Sequence, residues 1–208
     1  MADDATGAGR GYGAGPGYGM GGMRGPGAAG TASGGAYGMR GGNGNGYGYG
    51  MGGGMGVAAS GVTAPSGELT AEQRTTLASM AEEEKLAHDL YVALAARYPE
   101  LRQFPMIAVA ETRHLELVRT VLERYGIDDP TSGLAEGAFA SAGFQSTYDR
   151  LLAGATTADA ALAAGVTVEK ADIGDLQSAT AGLTAPDVLQ VYAALLAGSQ
   201  HHLAAFGG

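Results

Sequence analysis

The chain has 208 residues, with 12 Lys and Arg against 21 Asp and Glu and no cysteine, so its formal net charge is -9. Without cysteine, disulfides, iron-sulfur clusters, thiolate zinc sites and cysteine nucleophiles are excluded, and any metal must be held by carboxylate and imidazole. The negative charge argues against nucleic acid or an anionic membrane surface as the main partner.

The first residues, MADDATGAGRGYG, show neither the basic nor the apolar segment of a signal peptide. No window of the sequence approaches the run of about 18 apolar residues that a membrane-spanning helix needs. We therefore expect a soluble protein in the cytoplasm.

Residues 1–65 differ sharply in composition from the rest. They hold 26 of the 38 glycines, five of the ten tyrosines and six of the eight methionines, with little else that is large and apolar. Such a segment cannot bury enough surface to offset the entropy lost on ordering it. We predict a disordered low-complexity tail over residues 1–65, followed by one domain over residues 66–208 that carries all of the net negative charge.

The domain opens with a predicted helix whose start is marked by the capping box Thr70-Ala-Glu-Gln73. Apolar residues then recur at steps of three and four until Tyr98-Pro99 ends the helix. A second helix starts near Pro105, keeps one apolar face and ends at Gly126.

A long connection, residues 126–143, leads to a short helix around residues 144–152. A third long helix spans about residues 157–180 with a weak point at Gly165, and Thr184-Ala-Pro-Asp187 caps a fourth that runs to Phe206. Alternation of period two never persists, which argues against strands. We predict an all-α fold in which four long helices form a bundle.

The second helix carries a polar pair on its apolar face. Glu111 and His114 are three residues apart, so both side chains point to the same side of the helix. Metal proteins built on helix bundles present a carboxylate and an imidazole at this spacing, typically with a further glutamate from each of two other helices.

The other long helices supply similar groups. Glu84 lies among the apolar positions of the first helix, and Glu169 lies near the apolar stripe of the third. In the fourth, His201 and His202 point about 100° apart. Because Leu195, Leu196 and Leu203 lie on or near the face of His202, we predict that His202 faces inward and His201 is exposed.

The predicted helices contain the segments EEEKLAHDLY, FPMIAVAETRHLELVRTVLERYGIDDP, AALAAGVTVEKADIGDL and VYAALLAGSQHHLAAF. Over roughly residues 68 to 206 the chain resembles a family of uncharacterised bacterial and archaeal proteins called domain of unknown function 2202 (DUF2202). The resemblance implies a ferritin-like four-helix bundle, and it brings no established reaction.

Members of the wider ferritin-like superfamily hold two iron or manganese ions. Their ligands are a glutamate on the first helix, Glu-x-x-His on the second, a glutamate on the third and Glu-x-x-His on the fourth. By this resemblance the metal ligands fall on Glu84, Glu111, His114, Glu169 and His202. Glu84 matches because Tyr91 follows it by seven residues, as in the superfamily pattern. The last glutamate has no counterpart, since Ser199 stands in its place.

The missing glutamate leaves three carboxylates against the four charges of two divalent ions. Bridging hydroxide, Asp172, His88 or water are alternatives for completing the shell, and a single ion is another. The plain alternative to a metal site is a set of hydrogen-bonded polar pairs. For Glu82 and Glu83, next to Glu84, we predict solvated surface charges.

Three functional hypotheses follow. The leading one is a ferritin-like protein that binds iron or manganese through its glutamates and histidines. A sharper version adds oxidation of ferrous iron or reduction of peroxide at the metal. The alternative is a non-catalytic helical scaffold whose Gly-, Tyr- and Met-rich tail contacts a partner or self-associates. Assembly as a homo-oligomer stays open.

Overall fold

A computed structural model of the protein describes residues 61–208. Residues 1–60 of the predicted tail therefore lie outside the described residues. In the described range the chain forms helices and no strand, which confirms the prediction of an all-α fold. Five helices follow one another: α1 Ala71–Arg97, α2 Gln103–Arg124, α3 Ala142–Gly154, α4 Ala158–Ala179 and α5 Pro186–Ala205.

Side-chain caps begin two of the long helices. Before α1, the Gln73 N–H donates to Thr70 Oγ1 at 3.2 Å and the Thr70 N–H donates to Gln73 Oε1 at 2.9 Å, which is the predicted capping box. Before α4, the Ala160 N–H donates to Thr157 Oγ1 at 3.1 Å. These bonds satisfy N–H groups that have no partner inside the helix.

The start of α5 differs from the prediction. The N-cap residue is Ala185, whose side chain cannot accept a hydrogen bond, so the prediction that Thr184 caps this helix is wrong. Pro186 follows at the first helical position, where its lack of an N–H costs nothing. Asp187 is fully buried and accepts from the Tyr125 hydroxyl at 2.7 Å, which ties α5 to the end of α2.

Gly165 does not interrupt α4, which is continuous from Ala158 to Ala179. A Cβ at this position would lie 2.8 Å from Cδ2 of the Phe206 ring. The glycine therefore serves close packing between α4 and the end of α5, and the predicted weak point does not form.

The four long helices surround one interior. Helix α1 packs against α2 and α4, and α5 packs against the same two helices. The short helix α3 packs on α1 and α4. Each long helix therefore contributes one face to a shared core.

The core consists of two apolar clusters separated by a polar zone. One cluster includes Leu77, Met80, Val118, Leu122, Leu176, Val191 and Leu195. The other includes Leu90, Tyr91, Leu94, Phe104, Ile107, Val168 and Phe206. On every long helix the residues between the two clusters include buried polar groups, which we call the central polar layer: Glu84, Glu111, His114, Glu169, Asp172, Ser199 and His202.

The residues just before α1 also belong to the packed domain. Val62 is buried in the first cluster, and the N–H groups of Thr63 and Ala64 donate to Gln190 Oε1 at 3.0 and 2.8 Å. Residues 62–64, which composition assigns to the tail, therefore lie on α5. Among the described helices, none has the length and apolar character needed to cross a membrane.

Candidate metal centre

The five residues that sequence reasoning selected all lie in the central polar layer. Glu84 comes from α1, Glu111 and His114 from α2, Glu169 from α4 and His202 from α5. The glutamates are each 2 % exposed and the histidines 8 %. Charged side chains are rarely this buried unless they are paired with another charge or an ion.

Glu111 lies at the middle of the group. Its Oε2 is 2.8 Å from Nδ1 of His114, and its Oε1 is 2.7 Å from Nδ1 of His202. The same His114 nitrogen lies 3.3 Å from Oε2 of Glu84, and the His202 nitrogen lies 3.7 Å from Oε1 of Glu169. Glu111 therefore turns one oxygen to each imidazole, and each imidazole also faces a second carboxylate.

These close approaches are not well-formed hydrogen bonds. Nδ1 of His114 and Nδ1 of His202 are buried and have no aligned hydrogen-bond partner, although carboxylate oxygens lie within 3 Å. Oε1 of Glu84 and Oδ1 of Asp172 also lack a partner. Buried polar atoms without partners are rare in folded proteins, and an ion is one of the few explanations for several of them in one place.

The two imidazoles face each other across the layer. Their ring centroids are 5.4 Å apart with an interplanar angle of 30°. Helix α5 approaches His114 at Gly198, where a Cβ would lie 2.4 Å from both Cε1 and Nε2 of the ring. Gly198 is therefore a residue of the site that the sequence did not reveal, because a glycine inside a helix gives no sign of what it packs against.

The charges of the layer depend on one another. Burial disfavours the imidazolium form of His114, but Glu111 and Glu84 outweigh it and raise its pKa to about 11. Burial likewise opposes charging of His202, and Glu111 and Glu169 raise its pKa to about 9. Burial also disfavours ionised Glu111, yet the two imidazoles lower its pKa to about 2.

The remaining carboxyls lack such compensation. Burial raises the pKa of Glu84 well above its ordinary value and also raises that of Glu169. Burial, with the charges of Glu111 and Glu169, raises the pKa of Asp172 to about 7. The layer thus holds four carboxyls and only two imidazoles, so without a cation it must take up protons to limit its negative charge.

Two hydroxyl groups complete the layer. Tyr91 is fully buried, and its hydroxyl donates to Glu169 Oε1 at 2.6 Å. Ser199 lies on α5, three residues before His202, and is 1 % exposed. Its hydroxyl donates to the Leu195 carbonyl in its own helix at 2.9 Å.

The prediction that Glu82 and Glu83 are solvated is wrong. Their exposed fractions are 4 % and 8 %, because α1 is covered by α2, α3 and α4 and every residue from 80 to 87 is buried. Burial, together with the charges of Asp172 and Asp175, raises the pKa of Glu83 to about 9. Glu83 is therefore a neutral carboxylic acid at pH 7.

A second polar group on α1 holds the connection between α2 and α3. Glu82 accepts from the Ser141 N–H at 2.8 Å, and Lys85 pairs with Asp89 and donates to the Ala135 carbonyl at 3.0 Å. We call Glu82, Lys85 and Asp89 the loop anchor. Its charged groups all have partners inside the protein, whereas Glu84 and Asp172 of the central polar layer each keep an oxygen without one.

The fold and the site together define a class: an all-helical protein with a buried cluster of carboxylate and imidazole groups whose geometry suits a metal ion. The family model described as "Uncharacterized protein domain (DUF2202)" matches residues 73–207, and the chain belongs to this family.

Relatives of the chain are known in sequence and in structure. It is 34% identical over 143 residues to uncharacterized protein MJ0754 of Methanocaldococcus jannaschii. The aligned region covers 68% of this chain and 77% of that protein. A crystal structure of hypothetical protein MJ0754 from Methanococcus jannaschii matches with a TM-score of 0.66 at 34% identity, over 68% of this chain and 81% of the other.

Proposed function

We propose that this protein is a ferritin-like metal-binding protein, a four-helix bundle that holds iron or manganese in its central polar layer. The side chains that hold the metal are Glu84, Glu111, His114, Glu169 and His202.

One observation carries the proposal. Glu111, His114 and His202 are all buried, and each offers a ligand atom within 4.8 Å of the others. The contacts of the two imidazoles with Glu84 and Glu169 extend this group to all four long helices. Because the described domain is otherwise packed around apolar clusters, so many ionisable groups at one level need a common partner.

The kinds of ligand narrow the choice of metal. Carboxylate oxygens suit manganese and other hard cations, while imidazole nitrogens suit iron and zinc. A set of three glutamates and two histidines, in a chain without cysteine, therefore favours iron or manganese over metals that prefer thiolate.

Protons and metal ions compete for this site. In the metal-free protein the imidazoles carry protons, because neighbouring carboxylates raise the pKa of His114 to about 11 and that of His202 to about 9. A metal ligand must be deprotonated, so these imidazoles would release their protons on holding a divalent cation. Such a cation would supply the positive charge that the carboxylates require.

The experiment is metal analysis of purified full-length protein, freed of metal by a chelator and reloaded anaerobically with Fe²⁺ or Mn²⁺. We expect the wild type to retain metal after desalting. A double variant, Glu111→Ala with His114→Ala, should retain none, because it removes the central carboxylate and one of its two imidazoles. Far-UV circular dichroism checks that the variant is folded.

The matched control is Glu116→Ala, which removes an exposed carboxylate from the same helix. It should retain as much metal as the wild type. Glu111→Gln keeps the shape of the side chain and guards against loss of metal through a cavity. Equal metal content in the wild type and in both Glu111 variants would overturn the proposal.

A further inference from the structure

Two buried carboxylate oxygens in the central polar layer have no partner. They are Oε1 of Glu84 on α1 and Oδ1 of Asp172 on α4. The two residues are 2 % and 5 % exposed, so water does not solvate them. An unsatisfied buried acceptor costs about 1–3 kcal/mol, and more when it is charged.

Asp172 lies on the same side of α4 as Glu169, because the two are three residues apart in the helix. It is buried between Val168 and Leu176, which belong to the two apolar clusters, and so lies in the same layer as Glu84 of α1. Asp172 is therefore close to the same groups that surround the candidate ligands.

On α5, the hydroxyl of Ser199 donates to the Leu195 carbonyl of its own helix, so it leaves Oδ1 of Asp172 without a partner. The position that lacks a carboxylate on α5 is thus matched by an additional carboxylate on α4. Ser199 is 1 % exposed and is three residues before His202, so it belongs to the same face of α5 as the inward histidine.

We propose that Asp172 is a ligand for a second divalent cation, supplying from α4 the carboxylate that Ser199 does not supply from α5. This inference rests on the proposed function, since it assigns a second ion to the same layer. Glu84 and His114, whose Oε2 and Nδ1 lie 3.3 Å apart, would complete its shell, with the Glu111 oxygen that lies 2.8 Å from the same imidazole.

Charge balance supports two ions. Four carboxylates, Glu84, Glu111, Glu169 and Asp172, carry four negative charges when ionised, which equals the charge of two divalent cations. An uncompensated charge at this depth is costly. One ion would leave two buried carboxylates to be neutralised by protons.

His88, the other protein group that the sequence left open, does not fit this role. Its side chain is 30 % exposed, and its Nδ1 lies 2.8 Å from Oδ1 of Asp89 in the loop anchor. It therefore belongs to a group of charges that already have partners.

The experiment is a Mn²⁺ titration of metal-free full-length protein by calorimetry, with elemental analysis of the desalted product. The wild type should bind two Mn²⁺ per chain, and Asp172→Asn should bind one, with affinity for the second reduced at least about 100-fold. The substitution keeps the size of the side chain and removes a buried acid. The control Asp175→Asn makes the same charge change at an exposed position three residues on and should bind two.

Glu84→Gln tests the same ion from α1 and should also reduce binding to one, which keeps the inference testable if Asp172→Asn does not fold. Two ions in a folded Asp172→Asn, or one ion in the wild type, would overturn the inference while leaving the proposed function standing. No metal in the wild type would overturn the proposed function itself.

Discussion

Helix α1 carries two buried polar groups within two turns, and they are built differently. In the loop anchor, Glu82 accepts from the backbone of Ser141, and Asp89 accepts from Lys85 and from the Gly137 N–H at 2.8 Å. In the central polar layer, Glu84 keeps an oxygen without a partner. The comparison teaches that burial of a charged group does not by itself mark a binding site. The proposed site rests on acceptors that the protein leaves unsatisfied.

The largest effect on stability is expected at the loop anchor. Lys85→Met removes one partner of a buried ion pair and leaves the Asp89 carboxylate without its cation, which should lower the free energy of unfolding by about 3 kcal/mol. Metal content should not change, because Lys85 contacts Asp89 and the Ala135 carbonyl rather than residues of the central polar layer. Urea unfolding and elemental analysis measure the two quantities.

The matched control is Lys170→Met, which alters the chain's other lysine at an exposed position on α4. It should change neither stability nor metal content appreciably. If Lys85→Met instead lost metal and kept its stability, the distinction between the loop anchor and the central polar layer would be wrong.

The next effect is the dependence of the free energy of unfolding on pH. A raised pKa stabilises the fold below the unfolded pKa, and this stability is lost as pH rises towards the folded value. The intervals are 4.5 to about 9 for Glu83, 3.8 to about 7 for Asp172 and 6.5 to about 9 for His202. Glu111 acts oppositely, but only between pH 4.5 and about 2. Metal-free protein should therefore lose stability from about pH 5 to 9.

Mn²⁺ should reverse this trend, because the cation replaces the displaced protons. At a concentration of about 100 times Kd, a single site adds about 2.7 kcal/mol. Urea unfolding at pH 5, 7 and 9, with chelator or with Mn²⁺, measures both curves. Stability that rises with pH in the presence of chelator would contradict the expected protonation of the layer.

A smaller effect is expected where α5 meets the site. Gly198→Ala places a methyl group 2.4 Å from the His114 ring, so the imidazole must move. Overpacking of this kind costs about 2 kcal/mol, and a displaced ligand should weaken Mn²⁺ binding about 10-fold. The control Gly174→Ala on α4 meets nothing within 4 Å and should stabilise the helix slightly. Unchanged Mn²⁺ affinity in Gly198→Ala would show that His114 is not a ligand.

The smallest effect concerns the hydroxyl that orients Glu169. Tyr91→Phe removes the bond of 2.6 Å to Oε1 and should cost about 1 kcal/mol, with weaker Mn²⁺ binding. Tyr98→Phe is the control, because it removes a bond of 2.7 Å to the Ala155 carbonyl, outside the layer. Thermal unfolding should give similar losses for both, and a Mn²⁺ titration should distinguish them.

The helical periodicity of the sequence was sufficient to predict all five helices and the inward positions of Glu84, Glu111 and His202. Each of these residues occupies a core-facing position of its own helix, so the periodicity of that helix alone is enough to predict that it faces inward. The sequence predicts that Glu82 and Glu83 are solvated, because charged side chains are usually exposed. The structure buries them since α1 is covered on several sides, and no pattern within α1 records what packs around it.

Asp172 shows the same limit from the other direction. Its spacing from Glu169 placed it on the inner face of α4, but the sequence could not distinguish a local pair from an unsatisfied oxygen. That distinction depends on Ser199 and the neighbouring carboxyls, which are brought together only by the fold.

The interruption of the apolar core on all four long helices has a thermal consequence. The two ends of the domain are held by hydrophobic contact, which weakens on cooling, whereas the middle is built from buried carboxyl and imidazole groups. Cooling should therefore destabilise the two ends before the central polar layer. A chelator that removed a bound metal ion should destabilise the central polar layer first. Hydrogen exchange of the backbone amides along α1 would show, residue by residue, which of these regions opens.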